Sequence, residues 1–120
     1  MSAYFLFEQE SPEGERKSFI FQLNDGDKIA EARALLKDPE SLKMHVEGKI
    51  ISETAPYNPE WSFHLDPASI NFFEMQVEVC DANLTYVEEH LQEIGGAFLP
   101  RRFWCPWSSR LMAEVPDPLK

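Results

Sequence analysis

"INFFEMQVEVCDANLTYVEEHLQEIGG", residues 70–96, decides the fold class. Its first part has a period of two. Phe73, Met75, Val77 and Val79 alternate with Glu74, Gln76 and Glu78, which predicts a half-buried β-strand running to Cys80. Its second part changes period. Leu84, Val87, Leu91 and Ile94 recur at helical spacing and share one face, with Glu88, Glu89, Gln92 and Glu93 on the other. Asp81 is placed to cap this helix and Gly95-Gly96 to stop it. A strand followed by a one-faced helix makes the chain a mixed α and β protein.

The rest of the sequence fits around that unit. "AYFLFEQ" and "KSFIFQL", joined by "SPEGER", predict an antiparallel hairpin with Phe19, Phe21 and Leu23 on one face. "NDGDKIAEARALLKDPE" predicts a helix capped by Asn24 or Asp25, with Ile29, Ala32, Leu35 and Leu36 as its apolar stripe, ending at Asp38-Pro39. "KMHVEGKIIS" and "WSFHLD" predict two further strands, the first with Met44, Val46 and Ile50 inward, separated by the proline-bearing loop "ETAPYNPEW". The expected order is β-β-α-β-β-β-α, followed by an irregular C-terminal tail. Two helices with one apolar face each would cover one side of a mainly antiparallel sheet, which is an α+β two-layer sandwich. A chain of 120 residues is expected to make one domain, 1–120, with an α+β core at 1–97 and a tail at 98–120 packed on it.

The tail departs most from the average composition. "LPRRFWCPWSSRLM", residues 99–112, holds three of the five arginines and two of the three tryptophans, although the chain carries a net charge of −10. Its prolines exclude one continuous helix, while "SSRLMAEV" predicts a short helix capped by Ser108. Two readings of the stretch follow. Its aromatics can fold back as a clasp that closes the core. Alternatively, Arg101, Arg102, Trp104, Trp107 and Arg110, together with Trp61 and His64, make a binding surface, because Trp and Arg concentrate at interaction hot spots. The arginines also suit a carboxylate or phosphate.

Composition and spacing bound the function. The acidic charge disfavours nucleic acid as a partner. No apolar run approaches the ~20 residues that span a bilayer. The start "MSAYFLFEQE" lacks the pattern of a signal peptide, so a cytoplasmic location is expected. His45, His64, His90, Cys80 and Cys105 show no ligand spacing, so neither a metal nor a cofactor is expected. The two cysteines form no CxxC pair; free buried thiols are the first expectation and a Cys80–Cys105 bridge the second. No GxSxG or phosphate-cradling glycine loop is present. Catalysis would rest on Cys105 with its basic neighbours, or on His64 beside Glu74 and Glu78 on one polar sheet face.

The run "YNPEWSFHLDP", with "EVCDA", "GGAFLP" and "WCPWSSR", resembles a small domain found in calmodulin-binding-protein-related sequences. In that family it occurs as a free-standing bacterial protein or as the N-terminal part of a longer eukaryotic one. The resemblance covers about half of the chain and implies a binding rather than a catalytic role. It does not carry calmodulin binding to this segment. Calmodulin targets are basic amphipathic helices, whereas the basic stretch here is broken by Pro100 and Pro106 and sits on an acidic protein. The function expected is therefore a non-catalytic binding domain with a protein partner. The rival is a small enzyme or anionic-ligand binder with a pocket near His64, Cys105 and the tail arginines.

Overall fold

The computed structural model describes residues 2–119. The expected hairpin is present. Strands β1 (Ala3–Glu10) and β2 (Arg16–Leu23) set Phe5 opposite Phe21 and Phe7 opposite Phe19. Helix α1 (Gly26–Leu36) follows, with the Asp25 carboxylate accepting the Asp27 N–H at 2.8 Å and with Ile29 and Ala32 buried. Strand β3 (His45–Ile51) points Val46 and Ile50 into the core. It pairs antiparallel with β4 (His64–Leu65) at one end and β5 (Asn71–Phe73) at the other. Between β4 and β5 a tight turn, Pro67–Ser69, arches over Gly48, where a Cβ would stand 3.3 Å from Ser69 and Ile70. Helix α2 (Leu84–Glu89) leads to a short parallel pair, β6 (Ile94–Gly95) and β7 (Phe98–Pro100). Strands β8 (Phe103–Trp104) and β9 (Ser109–Val115) complete the chain.

The strands form two mainly antiparallel sheets and not a single one. The first has the order β2-β1-β9, and the second gathers β4, β5 and β8 around β3. Trp104 lies where the two meet. Its ring is 5.9 Å from Phe7, 5.7 Å from Phe19 and 5.6 Å from Phe63, and it is fully buried. Strand β9 ties the sheets together. It pairs with β1, while the Leu111 N–H donates to Met44 O at 2.8 Å and Ser109 Oγ accepts the Val46 N–H at 3.0 Å.

Three elements depart from expectation. The strand expected through Cys80 stops at Phe73, because its partner β3 begins at His45, the residue paired with Phe73. The chain then turns through Glu78–Cys80. The expected helix over 81–96 is confined to Leu84–Glu89 and is capped by Asn83, since Asp81 instead accepts the Trp107 N–H at 2.9 Å. The tail is not irregular: residues 98–115 supply three strands, and "SSRLMAEV" is strand β9 in place of a Ser108-capped helix. The observed order is accordingly longer than β-β-α-β-β-β-α. Among the described residues no helix is long and apolar enough to cross a membrane.

Candidate functional site

The tail residues expected to bind are mostly committed to structure. Trp104 is fully buried and its indole N–H donates to Ala82 O at 2.8 Å. Arg102, at a positive φ of 65°, donates through Nε to Ile50 O at 2.8 Å and also reaches Ser52 Oγ and Ile94 O. It fastens the end of β3 to the β6–β7 pair. The close approach explains Gly95, where a Cβ would stand 3.3 Å from Arg102 Cγ. Trp61 is half-buried and donates its indole N–H to Ser18 O at 2.8 Å, while Asn58 Oδ1 accepts the Ile20 N–H at 3.0 Å. The "YNPEW" loop thus seals the outer edge of β2. His64 Nδ1 lies 2.7 Å from Glu53 O and its ring is edge-on to Tyr57.

These side chains do not share a pocket. Arg102 and His64 flank the same end of β3, and Trp61 touches Trp104 only through Phe63. Arg110 is exposed on the first sheet, in a depression of about 130 Å³ with Glu8, Glu10 and Arg16. Arg101 is exposed at a positive φ of 59°. Cys105 is fully buried and forms a disulfide with Cys80, their Cα atoms 5.1 Å apart. This corrects the first expectation of free thiols, and it leaves Cys105 no thiolate with which to attack. The polar face expected from His64, Glu74 and Glu78 is also absent, because both glutamates lie beyond the end of β5.

The surface that sequence reasoning missed begins where β5 ends. Met75 is 75% exposed, Val77 61% and Val79 59%. Large apolar side chains side by side in water signal a contact surface more than single exposed ones do. The segment is anchored at both ends. Phe73, Cys80 and Cys105 form a small buried cluster, with Phe103 and Trp107 packed against it, and the Cys105 N–H donates to Cys80 O at 2.7 Å. In the middle, Gln76 Nε2 donates to Glu47 Oε1 at 3.0 Å. Glu47 is itself buried, and burial pushes its carboxyl above the ordinary range, against the opposing pull of the Gln76 hydrogen bond and of Lys28. Beside the cluster, the Trp107 indole N–H is buried without an acceptor among the described residues. The signal available in the sequence was a mismatch of lengths. A strand from 70 to 80 needs a partner as long, and the candidate "HVEGKII" is shorter.

Similarity to known proteins bears on the whole chain. A family model for the N-terminal domain of calmodulin-binding-protein-like sequences matches residues 1–118. No curated protein and no solved structure matches the chain.

Proposed function

The chain belongs to the family of N-terminal domains of calmodulin-binding-protein-like sequences, the group that its motifs resemble, and from that premise we propose that it is a non-catalytic protein-interaction domain. The observation that carries this reading is the exposed row Met75, Val77 and Val79, held in place by a buried disulfide and by the Gln76–Glu47 hydrogen bond. An anchored apolar segment loses little conformational freedom on binding, which favours affinity. Of the residues expected from sequence, Arg101, Arg110 and the partly exposed Trp107 remain accessible to a partner. Trp104, Arg102 and Trp61 support the fold.

The bridge also bears on the setting. Structural disulfides persist in oxidising surroundings and are rare in the cytosol. The Cys80–Cys105 bridge therefore favours an oxidising environment over the cytoplasmic one expected from sequence. A free-thiol count on protein trapped by alkylation in its native cells decides between the two.

Panning a displayed random-peptide library tests the interaction reading. Wild-type protein should enrich a peptide class that the variant Met75→Lys/Val77→Lys does not. Equal enrichment on both would move the contact surface elsewhere, and no enrichment on either would remove the interaction reading.

A further inference from the structure

We propose that the partner presents an extended segment with Lys or Arg at alternate positions, which adds as a strand along β5 and its continuation to Val77. This rests on the interaction reading above and names the chemistry of its partner.

The argument starts from the edges of the sheets. A strand with one unpaired side offers a row of N–H and C=O groups to another chain, and proteins normally cover or charge such rows. The outer edge of β2 is covered, since Asn58 takes the Ile20 N–H and Trp61 donates to Ser18 O. The edge of β5 is not. β5 pairs with β3 alone. Phe72 is opposite Val46, whose N–H is already given to Ser109 Oγ, so this is the non-hydrogen-bonded kind of antiparallel pair. The backbone groups of Phe72 therefore face outward. The row continues past the end of the strand. Among the described residues, the N–H groups of Met75 and Gln76 find no acceptor, and Val77 keeps an extended backbone (φ −71°, ψ 148°). Side chains alternate as a strand requires: Gln76 turns in to Glu47, while Met75 and Val77 face solvent.

Charge selects the occupant. Glu74 and Glu78 are exposed on either side of Met75 and Val77, and Glu47 lies beneath. A second copy of the chain, paired antiparallel about Gln76, would set Glu74 opposite Glu78, and like charges directly opposite are destabilising. An in-register parallel copy would stack each glutamate on itself. A strand with Lys or Arg opposite the glutamates and apolar residues opposite Met75 and Val77 meets both needs at once. Main-chain hydrogen bonds would supply affinity and the alternating side chains specificity, as in other strand-addition complexes.

The test uses the oxidised full chain and three short synthetic peptides. One alternates Lys and Val, one alternates Glu and Val, and one has the Lys/Val composition in two blocks. Fluorescence anisotropy reports binding, and amide hydrogen exchange reports its place. The Lys/Val alternating peptide should bind alone and slow exchange at Phe72 and Gln76. The double variant Glu74→Lys/Glu78→Lys should weaken that peptide by about tenfold or more and admit the Glu/Val one. Equal binding of the blocked and alternating peptides, or binding without protection at these amides, overturns strand addition. If the library instead enriches sequences without alternation that still require Met75 and Val77, strand addition fails while the interaction reading stands.

Discussion

Residues 71–80 and residues 103–115 lie side by side, joined by the Cys80–Cys105 bridge, and each does what the other's sequence suggests. "NFFEMQVEVC" alternates over its whole length, yet only its first three residues pair in a sheet. "FWCPWSSRLMAEV" is interrupted by proline and lacks an alternating core, yet it supplies two strands and the most central side chain of the protein, Trp104. Periodicity tells which face a segment can bury. Whether it becomes a strand depends on an available partner. β3 runs out at His45, so the first segment leaves the sheet. β1 has a free side along Tyr4–Gln9, so β9 joins it.

The largest test of this contrast is Trp104→Ala. It removes the ring that contacts Phe7, Phe19 and Phe63 and leaves Ala82 O without its donor. A loss of about 3–5 kcal/mol is expected, read as a lower denaturant midpoint at unchanged slope. A loss below ~1 kcal/mol would make the tail the accessory clasp that composition suggested. Next in size is the bridge. Cys80→Ala/Cys105→Ala opens a loop spanning 25 positions, and loop-closure entropy sets the cost at about 3–4 kcal/mol. Amide exchange should rise first between Glu74 and Cys80. If it rises equally in β9, the two regions are not held independently.

Much of the fold was legible wherever its cause was local. The β1–β2 hairpin, the Asp25 cap of α1 and the inward Val46 and Ile50 follow from turn residues, capping chemistry and alternation within a few positions. Long-range pairing was not legible. The strand character of β9 depends on β1 at the other end of the chain, and the shortening of the 70–80 strand depends on where β3 starts. The candidate site was misread for the same reason. Tryptophan and arginine look like binding residues by type, but Trp104, Trp61 and Arg102 spend their donors on Ala82, Ser18 and Ile50 carbonyls. Met75, Val77 and Val79 look like core by period, and become surface only because the sheet ends before them.

A smaller effect probes the anchor between the regions. Gln76→Ala removes the hydrogen bond to Glu47 Oε1, at a cost of about 1 kcal/mol. The cost should depend on pH with a definite sign. Burial raises the Glu47 carboxyl in the folded protein and Gln76 opposes that rise. The folded state therefore holds the proton more tightly than the unfolded chain does. The contribution of Glu47 is most favourable below the unfolded value and is lost as pH rises through the folded one. Without Gln76 the folded value climbs further, so the variant should lose more stability at neutral pH than in acid. Chemical denaturation across the carboxylate range checks this, and a cost that grows toward acid would reverse the assignment.

The smallest expected effect is the most decisive for the idea that residues 74–79 are surface. Val77→Thr exchanges a methyl for a hydroxyl on a side chain 61% exposed. In water the hydroxyl finds its own partners, so stability should change by no more than about 0.5 kcal/mol. Val46→Thr, the same exchange in the fully buried face of β3, should cost about 1–3 kcal/mol because the hydroxyl is then taken out of water. The two valines have the same chemistry and occupy the same kind of alternating pattern, so the difference between their costs measures only the presence or absence of a sheet around them. Equal costs would mean that the 74–79 segment is covered in solution, by a second copy or by a rearranged tail, and concentration-dependent sedimentation of wild type and Val77→Thr would then show which.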